Sequence, residues 1–184
     1  RLLILGRVRQ YWIRGSLERA FKGTVRLDVE CRHVPDLVPD PWAEEDGWPS
    51  EAIPDEPALT VDQVFADCLV PAIGKRLLIV GEPGSGKTTL LLELAERLHA
   101  HALEDPRALV PVPLLLQNWR DPEKPFAEWA AVELAQRYGI PQRLVAQWLI
   151  GGGLFLLADG FDEIPAEIRE RCRTALAEFV TDHT

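Results

Sequence analysis

Gly81-Glu82-Pro83-Gly84-Ser85-Gly86-Lys87-Thr88 is the stretch on which the fold turns. It fits G-x-x-x-x-G-K-[ST] and sits in the context that pattern demands. Before it runs the apolar segment Arg76 to Val80, an expected strand. After it, from residue 86 to about 103, Leu90, Leu91, Leu94, Ala95 and Leu98 share one face of an expected helix. Glycines let the chain curl so that consecutive N–H groups converge on phosphate oxygens. The helix start adds unpaired N–H groups and the positive end of its dipole. Lys87 offers a compact cation to β- and γ-phosphates, Thr88 offers a hydroxyl to Mg²⁺, and Thr89 is a further phosphate donor.

The second informative stretch lies about 70 residues on. Leu154-Phe155-Leu156-Leu157-Ala158 is an apolar strand that runs into Asp159-Gly160-Phe161-Asp162-Glu163. An Asp at the C-terminal end of a strand beside the phosphate loop can hold Mg²⁺ directly or through water. Gly160 permits a sharp turn. Asp162 or Glu163 can then reach the γ-phosphate and orient or deprotonate a water, since attack on phosphorus needs a positioned nucleophile. The plainer reading is that these two acids cap the helix that follows, because acids favour a first turn.

Between and around these motifs, strands alternate with helices. Leu109 to Gln117 reads as a buried strand whose Pro111 and Pro113 suit a strand start or an edge. Phe126 to Tyr138, Gln142 to Ile150 and Ala166 to about Asp182 read as helices, with Gly139 and Pro141 separating the first two. Such alternation predicts a parallel sheet with helices on both faces. Upstream, Thr60-Val61-Asp62-Gln63 has the form of a capping box and opens a short helix to about Leu69, ended by Pro71 and Gly74. Arg7 to Ala20 reads as an amphipathic helix with Val8, Tyr11, Trp12 and Leu17 on its apolar face and Arg7, Arg9, Arg14 and Arg19 between. Its arginines read as a solvated face, and Trp12 is placed to anchor it to the main domain. Thr24 to Val29 alternates like a strand, and Pro35 to Pro57 is a Pro-rich acidic connector.

The 184 residues carry a net charge of −9 and are 47% hydrophobic, which suits roughly one globular domain. An acidic balance argues against direct nucleic-acid binding, which needs clustered Lys and Arg. Cys31, Cys68 and Cys172 are widely spaced, so neither a disulfide framework nor a structural zinc site is expected and a cytoplasmic location is. Leu2 to Leu5 falls far short of the roughly 18 apolar residues of a membrane span. The chain lacks Met and begins at Arg1, and so reads as a piece of a larger protein. His99 and His101, two apart on a helix, point in different directions and are expected to face solvent. His33 beside Cys31 lacks a second ligand pair for a metal. Trp119, Trp129 and Trp148 are expected core contacts.

GEPGSGKTTLLLEL at Gly81 to Leu94, PVPLLLQNW at Pro111 to Trp119 and LFLLADGFDEIP at Leu154 to Pro165 together resemble a NACHT-type NTPase, within the STAND class of P-loop ATPases. The small Ala158 before Asp159, followed by D-G-x-D-E, is the more specific feature. The leader RVRQYWIRGSLERAF is similar to the segment before such domains in bacterial multidomain proteins. The resemblance implies an α/β, three-layer P-loop NTPase fold with a parallel sheet, truncated here. It implies a leader at residues 1–57 and the N-terminal part of the NACHT domain at residues 58–184. It implies a nucleotide site of Gly81, Glu82, Pro83, Gly84, Ser85, Gly86, Lys87, Thr88 and Thr89. Thr88 and Asp159 would bind Mg²⁺, with Asp162, Glu163 and Lys87 in catalysis. The cofactors implied are ATP or ADP and Mg²⁺, with ATP preferred to GTP and adenine near Leu59 to Val64. The partners implied are self-association and effector or sensor domains of the same polypeptide, without a membrane.

Three functions follow as alternatives. The first is an ATP-binding signalling and oligomerisation switch that hydrolyses ATP slowly in full-length form. The second is a P-loop kinase of a small acceptor, against which the acids after Asp159 argue. The third is a scaffold whose nucleotide is never turned over.

Overall fold

The structure, a computed structural model, describes residues 1–12, 59–69, 77–82 and 84–182. The expected strand at 24–29, the Pro-rich connector, the boundary at 57 and 58, Pro83 and the leader beyond Trp12 lie outside the described residues.

The centre is a parallel pair of strands, β1 (Val110–Leu115) and β2 (Leu154–Asp159), in register from Val110 opposite Leu154 to Leu115 opposite Asp159. The Val110 N–H donates to Gly153 O at 3.0 Å. A strand presents the N–H and C=O groups of successive residues to alternate sides. Val112 and Leu114 therefore also face β2, and Pro111 and Pro113 face outward, where a missing N–H costs no ladder bond. The outward carbonyl of Pro113 accepts the buried Tyr138 hydroxyl at 2.9 Å. Burial pushes that phenol's pKa well above the usual tyrosine range.

Helices pack around this pair. We number them α1 (Leu2–Val8), α2 (Val61–Leu69), α3 (Lys87–Glu104), α4 (Phe126–Tyr138), α5 (Gln142–Ile150) and α6 (Ala166–Asp182). Rich in Leu, Ala and Glu, α3 is built of strong helix formers. It is buried on two sides. Leu92 and Ala102 join the core shared with α1, β1 and α4, while Leu91, Leu94, Ala95 and Leu98 meet Val64 and Cys68 of α2 and Leu157 of β2. The α2 capping box forms in both directions: Thr60 N–H donates to Gln63 Oε1 at 2.7 Å and Gln63 N–H to Thr60 Oγ1 at 3.3 Å. Trp119 is buried, stacked on Trp129 at 5.3 Å and edge-on to Phe126 at 5.2 Å, which in turn meets Phe179 of α6. Trp148 packs partly buried against the same core.

Four expectations change. The leader helix begins earlier, at Leu2, and continues through a wider turn at residues 9–12. It buries Ile4, Leu5, Val8 and Trp12, whereas Tyr11 is 57% exposed. The run Leu2 to Leu5 was too short to read by itself; packing on β1 and α4 makes it helical, with Trp12 under the Arg137 guanidinium at 5.8 Å. Arg7 and Arg9 are solvated. Second, residues 77–80 form no ladder with β1 or β2; Leu78 is 67% and Val80 62% exposed. An apolar run becomes a strand only with a partner for its N–H and C=O groups, which composition does not supply. Third, the described sheet has two strands, in a mixed helix–strand fold compatible with a truncated P-loop NTPase. Fourth, His99 is 4% exposed, not solvent-facing, and its Nε2 lies 2.9 Å from Leu5 O. A carbonyl only accepts, so Nε2 carries the proton.

Candidate functional site

The glycine loop leads directly into α3. Gly84 has φ 80° and Gly86 φ 90°, conformations that side chains with a Cβ rarely adopt. This lets the chain enter the helix with no side-chain cap at Gly86. The first helical bond runs from Leu90 N–H to Gly86 O at 2.9 Å. Among the described residues, the N–H groups of Lys87, Thr88 and Thr89 are thus left without a helical acceptor, as a helix start dictates. Inside the loop, Ser85 N–H donates to Glu82 O at 3.1 Å. A Cβ at Gly81 would come 2.8 Å from Ser85 Oγ, so the curl closes tightly on itself.

Lys87 reaches back over this curl. Its ammonium donates to Gly81 O at 2.8 Å and Glu82 O at 2.9 Å. Strong, charge-assisted donors are thereby held over the loop by main-chain oxygens and, among the described residues, by no acid.

The two sequence motifs meet at one bond. Thr88 Oγ1 donates to Asp159 Oδ2 at 2.9 Å, across 71 positions of sequence. The other carboxylate oxygen, Oδ1, accepts the Gly160 N–H at 3.0 Å. Asp159 ends β2, opposite Leu115 at the end of β1, so the loop and the acid gather at the carboxyl ends of the parallel strands. Ligands of parallel α/β sheets bind at that edge. Thr88 and Asp159 form an all-oxygen pair, the hard donor set that Mg²⁺ prefers. Mg²⁺ commonly takes one or two protein oxygens and fills its shell with water and phosphate, so the pair fits it. Among the described residues, no group of three His, Cys, Asp or Glu side chains could hold a metal by itself.

Asp162 and Glu163 stand in the turn after Gly160, both exposed. Gly160 has φ 77° and packs between the Glu163 carboxyl carbon and Gln117, each under 4 Å from where a Cβ would lie. The turn is drawn tight by Glu163 N–H to Gly160 O and Ile164 N–H to Phe161 O, both 3.2 Å. Among the described residues, no hydrogen bond or ion pair joins Asp162 or Glu163 to Lys87 or Thr88. Glu82 and Thr89 flank the loop, exposed and half-buried, and Leu59 and Val64 pack against α3. Two neighbours escaped the sequence reading. Gln117 flanks Gly160 from the short turn that follows β1, and Arg169 bonds the carbonyls of the acidic turn. The signal for Arg169 was a cation in a helix's first turn, where acids are usual.

Among the described residues, no helix is long and apolar enough to cross a membrane. Cys68 and Cys172 are buried free thiols whose pKa values burial pushes up. No curated protein and no solved structure matches the chain. The family profile of the NACHT domain matches residues 75–183, more than half of the chain and the part that holds both motifs. By that match the chain belongs to the NACHT domain family, nucleotide-binding NTPases of the STAND type.

Proposed function

We propose that this chain is an ATP- and Mg²⁺-binding module that works as a nucleotide-dependent signalling and self-association switch in the cytoplasm, with slow ATP hydrolysis in the full-length protein. The observation that carries the reading is the Thr88–Asp159 hydrogen bond, which puts the hydroxyl and carboxylate suited to Mg²⁺ side by side at the mouth of the glycine loop. Residues 58–184 are the nucleotide-binding part, and residues 1–57 are the leader that precedes it.

The free N–H groups of residues 87–89 and the loop amides of Gly81, Glu82, Gly84, Ser85 and Gly86 receive phosphate oxygens. Lys87 exchanges its two carbonyl partners for the β- and γ-phosphates. Thr88 and Asp159 would hold the cation, which would neutralise phosphate charge. Asp162, assisted by Glu163, orients an attacking water and accepts its proton. The bonds that nucleotide exchanges, from Lys87 to Gly81 and Glu82 and from Thr88 to Asp159, differ between empty and loaded forms. That difference is what a switch relays to self-association and to effector or sensor domains of the same polypeptide.

Asp159→Ala tests the reading. Calorimetry with ATP in Mg²⁺ and in EDTA should show tighter binding with Mg²⁺ for the native chain, and a difference at least tenfold smaller for the variant. Identical Mg²⁺ dependence in both would overturn the assignment. Binding without phosphate release by the full-length protein would favour the scaffold function instead.

A further inference from the structure

Arg169 sits in the first turn of α6, where the helix dipole disfavours a cation. Its guanidinium is nonetheless ordered by three hydrogen bonds, and all of them run backward into the acidic turn. Nη2 donates to Asp162 O at 2.9 Å and to Ile164 O at 2.9 Å, and Nε donates to Ile164 O at 3.2 Å. Ile164 is buried, which ties the far end of the turn to the core. The Gly160 N–H, which donates to Asp159 Oδ1 at 3.0 Å, ties the near end to the end of β2. Arg169 therefore clamps the backbone between two fixed points, on the segment that carries Asp162 and Glu163.

The choice of acceptor matters. An arginine paired with the Asp162 carboxylate would occupy its oxygens and weaken it as a base. Held through its main-chain carbonyl, Asp162 keeps its exposed carboxylate free of hydrogen bonds among the described residues. We propose that Arg169 is a positioning residue that rigidifies the Asp159–Ile164 turn and presents the Asp162 carboxylate toward the phosphate loop. The planar guanidinium suits the task, because its fork spans two carbonyls in a fixed geometry and an ammonium does not. This inference rests on the reading of Asp162 as the group that handles the attacking water.

The test is a double-mutant cycle on phosphate release by the full-length protein, with ATP affinity measured alongside. Arg169→Ala should lower kcat at least tenfold and leave ATP affinity within about twofold. Added guanidinium ion should restore part of the rate, and Arg169→Lys should restore little. In an Asp162→Asn background, Arg169→Ala should cause no further loss. Additive losses, an unchanged kcat, or a parallel fall in ATP affinity would overturn the positioning role. A neutral Asp162→Asn would instead remove the reading of Asp162, and the inference with it. Should Arg169→Ala not fold, Arg169→Gln, which keeps a donor, carries the same cycle.

Discussion

The two ends of α3 are built to opposite ends. At the C-terminus, the negative end of the dipole meets a cation: Arg1 donates to Ala102 O in the last turn and to Asp105 O, Pro106 O and Ala108 O just beyond it, at 2.6 to 3.1 Å. One turn back, His99 is buried against the Leu5 carbonyl. At the N-terminus the corresponding donors have no acceptor among the described residues, and the Lys87 ammonium rests on two loop carbonyls. One helix thus has an end closed by the protein itself and an end left open to a ligand. Completeness of hydrogen bonding separates the structural end from the functional one more sharply than composition does.

Substitutions can break or sharpen this contrast. The largest effect is expected at the open end. Lys87→Ala removes two charge-assisted donors, worth about 3 kcal/mol together, and should weaken ATP binding on the order of a hundredfold by calorimetry with little change in urea midpoint. An ATP affinity within threefold of native would refute the assignment. At the closed end the pattern should invert. Arg1→Ala and His99→Ala each strand buried or half-buried carbonyls and should cost about 1–3 kcal/mol in urea unfolding, with ATP affinity unchanged. If either variant loses affinity without losing stability, the division between the ends is wrong.

The smallest effect is expected midway along the helix. The Arg97 guanidinium, by its hydrogen bond and its charge, holds the Asp62 carboxyl below the usual range. A lowered carboxylate pKa stabilises the fold above the unfolded value, and that contribution is lost as pH falls through the folded one. Asp62→Asn should therefore be slightly less stable than native near neutral pH and should converge with it in acid. An exposed pair of this kind gives a small gap, read by paired urea titrations at the two pH values. A gap that widens in acid would contradict the sign.

What the sequence disclosed depended on how local the cause was. The capping box at Thr60 and Gln63, the α4, α5 and α6 spans and the strand ending in Asp159 rest on neighbours a few residues apart, and each appears where the pattern put it. The meeting of Thr88 with Asp159 was legible because both motifs carry a known geometric demand. The rest depended on distant partners. Nothing near Leu2 announces that Ile4, Leu5 and Val8 will find β1 and α4, and nothing near His99 announces a carbonyl from α1. The run before Gly81 looked like a strand because strand propensity is a property of side chains, whereas a ladder is a property of two chains side by side. Arg169 was hidden for a related reason: its partners are main-chain oxygens, which every sequence has and no sequence displays.

The prolines of β1 bear on how this protein avoids sticking to itself. An unprotected strand margin is a template for aggregation, and the usual defences are charge, bulges or a missing donor. Pro111 and Pro113 remove two donors from the outer margin of β1, and Tyr138 takes one of its acceptors. Addition of a foreign strand there would leave gaps in every second rung. The opposite margin, where Leu154, Leu156 and Ala158 turn their amides away from β1, keeps its full set. Among the described residues the sheet is therefore polarised for growth: sealed on one flank, and extendable along the flank whose last residue is Asp159.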